Sequence, residues 1–278
     1  MKILCPQCQH PLQQTAKHWH CEQQHHFDSA KQGYTNLLLV QHKRSKIPGD
    51  SADMVNARKR FLNLGLYQPL ADAINKRVLK HTHTHSPLRI IDAGCGEGYY
   101  TQQLAQALQH AKVAADITGI DISKFAVKAA AGRSKDIQWF VANSSHIPVE
   151  DNSCDVLLSL FSPLPEAEFA RVLKPNGLLI VASTGQQHLL QLREQLYEQV
   201  NSDVLNPCDK LAAQFSPSQQ QNINYQLDLT SSAVISDLLC MTPHYWRASP
   251  EKKQQLSLLP QLRVNIDINL YGLQLISR

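Results

Sequence analysis

The stretch that most limits what this chain can fold into is residues 88–101, LRIIDAGCGEGYYT. The apolar, β-branched run Leu88–Ala93 predicts a buried strand, and glycines at 94, 96 and 98 follow at once. Beyond them apolar residues recur at Tyr100, Leu104, Ala107, Leu108 and Ala111, which is helical spacing. Strand, glycine loop and helix open a doubly wound α/β domain, whose ligand lies beyond the carboxyl end of the strand. Gly94, Gly96 and Gly98 would let that ligand approach the backbone.

Two details of the loop narrow the ligand. A dinucleotide fingerprint reads G-x-G-x-x-G, whereas this loop reads G-x-G-x-G, with Tyr99 where the last glycine would stand. Glu97 sits near the helix start, where it would repel a pyrophosphate but suit a ligand carrying ammonium and sulfonium charges. Asp92, at the strand end, adds a second carboxylate. Asp121, in TGIDIS at the end of a second predicted strand, is placed to accept hydrogen bonds from a ribose diol. Together these features describe S-adenosylmethionine. A third strand, residues 137–141, leads to Asn143 and Ser144, expected beside the adenine edge, although Asn and Ser after a strand also make ordinary turns. A fourth, residues 156–160, runs into FSPL, where an acceptor would lie. Only Ser159 and Ser162 stand near, so no catalytic base is assigned.

The first residues carry a different chemistry. Cys5, Cys8, Cys21 and His25 follow the spacing C-x2-C-x12-C-x3-H, which fits four ligands of a structural zinc ion. His18, His20 and His26 compete with His25 for the fourth position. The other cysteines, Cys95, Cys154, Cys208 and Cys240, are scattered singly, which argues for a reducing, cytoplasmic setting rather than a disulfide framework. No apolar run approaches the roughly 18 residues of a membrane span, and MKILCPQC is too short for a signal peptide.

Charge is uneven along the chain. Residues 1–86 hold 12 Lys and Arg against 5 Asp and Glu, whereas residues 87–278 are slightly acidic, so a polyanionic partner is expected at the front. Between the zinc module (1–36) and the α/β domain (87–278), residues 37–86 read as a basic connector. It holds Lys43, Arg44 and Lys46 before a PGDS turn, then Arg58, Lys59 and Arg60 on a helix capped by Ser51 or Asp53. His81, His83 and His85 alternate with period two and read as a linker tail.

DAGCGEG, Asp121 in GIDIS and the LKPNG turn at 173–177 resemble the class I S-adenosylmethionine-dependent methyltransferases, with their Rossmann-like α/β fold. Asn176 replaces a glycine usual there, and tolerates a left-handed turn. The four-ligand cluster, GYTNLL (33–38), VQHKRS (40–45), PGDSA (48–52), YQPL (67–70) and MTP..WRA (241–248) narrow the resemblance to the RlmA family of bacterial 23S rRNA guanine-N1 methyltransferases. That resemblance implies cofactor contacts from Tyr67, Gly96, Glu97 and His188. It also implies a homodimer that recognises the helix 35 hairpin of 23S rRNA through the zinc module and connector. The housekeeping, position-745 branch is expected rather than the branch that methylates a neighbouring guanine and is linked to macrolide resistance. A small-molecule methyltransferase with a structural zinc, and a non-catalytic RNA-binding protein, are the competing readings.

Overall fold

The computed structural model describes residues 1–43, 45–82, 87–200 and 204–276. Arg44, His83 and His85 of the basic and histidine-rich stretches lie outside the described residues. The N-terminal ribbon is a three-stranded antiparallel sheet, β1 (Gln13–Gln14), β2 (His18–His20) and β3 (His26–Asp28). Thr15 closes its first turn by donating to the His18 carbonyl at 2.9 Å. The chain then forms β4 (Tyr34–Asn36), which pairs in parallel with β7 (Gln138–Val141) at the edge of the main sheet. The boundary expected at residue 36 thus falls at the end of a strand that the large sheet owns.

The connector is two helices. Ser51 caps α1 (Ala52–Asn63) by accepting from the Met54 amide at 3.3 Å, and Gly65 separates it from α2 (Gln68–Lys80). The rest alternates: β5 (Leu88–Ala93), α3 (Tyr99–His110), β6 (Ala115–Asp121), α4 (Lys124–Ala131), β7, β8 (Cys154–Leu160), α5 (Glu166–Val172), β9 (Leu173–Thr184), α6 (Leu190–Leu196) and α7 (Pro207–Lys210). A long antiparallel pair closes the chain, β10 (Phe215–Leu229) and β11 (Leu262–Leu275), with α8 (Ser232–Cys240), α9 (His244–Arg247) and α10 (Pro250–Ser257) between them. The order across the eight-stranded sheet is β10-β11-β9-β8-β5-β6-β7-β4. Order reverses at β5, so the crevice beyond its carboxyl end is the expected ligand site.

Alternation along the strands divides the core into two layers. Ile91, Leu157 and Leu179 face a layer that includes Ile3, Leu12, Trp19 and Phe140, so the ribbon shares the methyltransferase core. Ile90, Leu158 and Ile180 face the other layer, which α1 and α2 help to fill through Phe61, Leu70, Ile74 and Val78. The connector is therefore one of the layers that cover the sheet. The LKPNG segment differs from the expected turn: it is the start of β9, and Asn176 is not among the residues with positive φ. No described helix is long and apolar enough to cross a membrane.

Candidate active site and metal centre

The glycine loop sits at the carboxyl end of β5, between β6 and β8. Gly94, Gly96 and Gly98 have φ of 91°, 56° and 84°, a left-handed backbone that glycine adopts without strain. A Cβ at Gly94 would lie 2.5 Å from the Ser162 Cβ, and one at Gly98 2.9 Å from Ala130 and Trp139. At Gly96 a Cβ would meet only the Arg58 guanidinium, at 3.7 Å, so this glycine faces open space.

Asp121 ends β6 and ties the loop to the next helix. Its Oδ2 accepts from the Gly96 amide at 2.9 Å and its Oδ1 from the Ser123 amide at 2.8 Å. Each oxygen keeps a second lone pair, so a ribose diol can still be accepted. Burial pushes its pKa upward, against those two amides. Asp92 is fully buried: Oδ2 accepts from the Thr101 hydroxyl at 2.6 Å, whereas Oδ1 is buried without a hydrogen-bond partner. Burial drives its pKa up to about 7 against the Thr101 bond, with Asp121 adding to the rise.

Glu97 has a partner within the fold. Its buried carboxylate is paired with Arg133, whose Nε also donates to the Glu97 carbonyl at 2.9 Å. The charge therefore anchors the loop to the turn after α4. Part of the second basic cluster is likewise engaged within the fold. Arg58 pairs with Asp50 and donates to the Met241 carbonyl at 2.9 Å, and Arg60 binds the Asp237 carboxylate with two nitrogens.

Tyr67 is buried at the start of α2, edge-on to His188 with ring centroids 6.4 Å apart. His188 lies in the turn after β9, where its Nδ1 accepts from the Asp267 amide at 3.3 Å. Burial lowers its pKa to about 4, so near neutral pH the imidazole is uncharged and its Nε2 carries the proton. Asn143 and Ser144 follow β7 in a tight turn, and the Asn143 side chain is already accepting from the Ser145 amide at 2.9 Å. They stand beside the Asp121 end of the crevice because β7 neighbours β6.

In the ribbon, one ligand atom from each of Cys5, Cys8, Cys21 and His25 lies within 4.8 Å of the others. Nδ1 of His25 is 3.5 Å from the sulfurs of Cys5 and Cys21, and Cys8 Sγ is 3.6 Å from Cys21 Sγ. Tetrahedral zinc with sulfur at about 2.3 Å and nitrogen at about 2.0 Å sets edges of about 3.5–3.8 Å, so the donors fit it. Burial raises the Cys5 thiol to about 11, whereas hydrogen bonds, the His25 amide's foremost, overcome burial at Cys21 and lower it to about 7. His18, His20 and His26 gather with one another instead, at ring separations of 5.2–5.8 Å.

Comparison with known proteins agrees with this geometry. Residues 3–46 match the family model of the RlmA N-terminal zinc ribbon, and residues 84–230 a methyltransferase-domain model. A 23S rRNA (guanine(748)-N(1))-methyltransferase of Streptomyces fradiae is 30% identical over 90% of this chain and 88% of its own. YxjB of Bacillus subtilis (strain 168), provisionally named a 23S rRNA (guanine-N(1)-)-methyltransferase, is 32% identical over 96% of this chain and 94% of its own. The chain belongs to the 23S rRNA (guanine-N1)-methyltransferase family. A methyltransferase-type crystal structure from Bacillus halodurans C-125 shares the fold at a TM-score of 0.50 and 14% identity, covering 72% of this chain and 97% of that one.

The fold of this methyltransferase family implies S-adenosylmethionine, and the residues present fit it. The open face of Gly96, the spare lone pairs of Asp121 and the unpartnered Oδ1 of Asp92 offer a nucleoside and a cation what each requires. Sequence reasoning missed the residues that hold these groups in place. Ser162 fills the space beside Gly94, Thr101 holds Asp92, Arg133 holds Glu97, and Asp267 orients the His188 turn. The signal was absent because these partners lie 9 to 79 positions from the residues they hold.

Proposed function

We propose that the protein transfers a methyl group from S-adenosylmethionine to N1 of one guanine in 23S rRNA. The acceptor we infer is in the helix 35 hairpin, at the position-745 type site. What carries the reading is that relatives named for this reaction match nearly the whole chain, zinc ribbon included, and not the methyltransferase core alone. The cofactor supplies a methyl group already activated by its sulfonium. The chain's residues then bind and align: Asp121 takes the ribose, Gly96 allows backbone approach, and Asp92 offers an acceptor for a cation. Tyr67 and His188 form a neutral wall to the crevice, and Asn143 and Ser144 flank the adenine. The hydroxyls of Ser159 and Ser162 bond each other at 2.8 Å and neither is a base, so no catalytic base is assigned and the N1 proton has water or a phosphate to go to.

The zinc ribbon and connector serve rRNA recognition in this proposal. Lys43, Lys46 and Lys124 border a groove of about 150 Å³ with Ile47, Ile122 and Phe125, which suits phosphates and bases. The protein acts in the cytoplasm, as a homodimer whose ribbons line the RNA cleft. The Streptomyces fradiae relative is named for guanine 748, so the neighbouring guanine is the second reading. Transfer of labelled methyl to unmodified 23S rRNA, mapped by reverse-transcription arrest, separates the two. A single stop at the 745-type guanine supports the first, and a stop at its neighbour the second. Efficient cofactor binding with no transfer to any rRNA points to a small-molecule acceptor.

A further inference from the structure

We propose that Phe161 is the platform on which the target base stacks while its N1 meets the methyl group. This rests on the rRNA reading above and adds a residue to it. Phe161 is the first residue after β8 and has φ of +57°, a conformation strained for a bulky side chain. The residue is also 44% exposed. The other described non-glycine residues with positive φ are Gln9, Gln24, Lys112 and Asn152, which are polar, and Leu189, which is buried. Phe161 alone among the described residues joins a left-handed backbone to an exposed large apolar side chain. Backbone strain of this kind persists where the surroundings fix it, and it gathers at sites where function uses it.

The surroundings do fix it. The Phe161 amide donates to the Ala182 carbonyl of β9 at 3.0 Å. Next to it, the Ser162 hydroxyl donates to the Ala93 carbonyl at 2.8 Å and meets the Ser159 hydroxyl. Pro163 then stiffens the backbone of Ser162. The ring is therefore carried on a rigid turn wedged against Gly94, with β5 on one side and β9 on the other. The ribose carboxylate, Asp121, lies on β6, across β5 from β8. Phe161 thus borders the half of the crevice that the nucleoside end of the cofactor leaves free. A base taken out of its stack needs an aromatic face in that half, and guanine offers a broad π-surface to one.

Phe161→Tyr, Phe161→Trp, Phe161→Leu, Phe161→Ala and Phe161→Gly test this against the unsubstituted protein. Three readouts are needed: kcat/KM for 23S rRNA, cofactor Kd and melting temperature. Tyr and Trp should stay within about threefold in kcat/KM, whereas Leu, Ala and Gly should lose about ten- to a hundredfold. Cofactor Kd should change by less than about twofold throughout, since Phe161 borders the other half of the crevice. Phe161→Gly should melt above Phe161→Ala, because glycine accepts the left-handed backbone. Its loss of activity would then not be a loss of fold. Leu as active as Tyr, an undiminished Ala variant, or a cofactor Kd that weakens in step with activity would each overturn the platform. Absence of transfer by the unsubstituted protein would instead overturn the rRNA reading, and the platform with it.

Discussion

At the scale of single residues, three carboxylates of one loop region, Asp92 and Glu97 buried and Asp121 partly so, are held in three different ways. Asp121 ties Gly96 to Ser123 and keeps spare lone pairs; if these take the ribose as proposed, Asp121→Ala should weaken cofactor binding more than tenfold in a calorimetric titration. Glu97 holds Arg133, and its loss leaves a buried guanidinium without its counter-charge. Breaking such a pair costs about 3–5 kcal/mol. Glu97→Ala should therefore lower the melting temperature by roughly 10 °C, with weaker cofactor binding as a consequence. Asp92 should titrate visibly. Its folded pKa of about 7 lies above the unfolded value, so its contribution to stability is present at low pH and is lost as pH rises through about 7. A cation beside Oδ1 favours the ionised form, so cofactor affinity should rise about tenfold between about pH 6 and 8. Asp92→Asn should flatten that rise, and an unchanged pH profile in the variant would refute the assignment.

At the scale of elements, the ribbon and the connector are structural layers of the fold, whatever recognition they also serve in the proposal. Trp19 meets Phe140 edge to face at 5.4 Å, and β4 extends the sheet beyond β7. So short a ribbon needs its metal to hold this contact. Chelating the zinc, or replacing Cys21 with serine, should lower the melting temperature by several degrees and abolish RNA binding first. Cofactor Kd should stay within about threefold, because the glycine loop lies on β5 and β6, inside the β7–β4 edge. Equal loss of cofactor and RNA binding would mean that the ribbon props up the whole crevice. Much of this level was legible in the sequence. Ser51, one of the two candidates with Asp53, caps α1, and the run at 88–93 is a buried strand. The pairing of β4 with β7 was not legible, since three residues of YTN carry no periodic signal and their partner lies about a hundred positions away.

At the scale of the whole molecule, the basic front of the chain is only partly available to a partner. Arg58, Arg60 and Arg77 are bound within the fold, the last to the Leu270 carbonyl at 3.0 Å. Lys43 and Lys46 instead line the groove beside α4. Replacing both with alanine should reduce the salt dependence of rRNA binding by about two in the log–log slope. Cofactor affinity should not change. A slope equal to that of the unsubstituted protein would place the phosphate contacts elsewhere.

The sequence by itself determined what depends on neighbours in the chain. The glycine loop, the C-x2-C knuckle with Cys21 and His25, and Asp121 at a strand end all follow from local backbone rules and ligand spacing. Only the tertiary structure decided which charges face the crevice and which face each other. Glu97 read as a ligand contact, and only the fold sets Arg133, 36 residues on, beside it. Arg58 read as a phosphate contact until Asp50 and the Met241 carbonyl claimed it. Coulomb attraction and desolvation act through space, and burial makes an unpaired charge costly, so the partner of a buried charge is chosen by the fold.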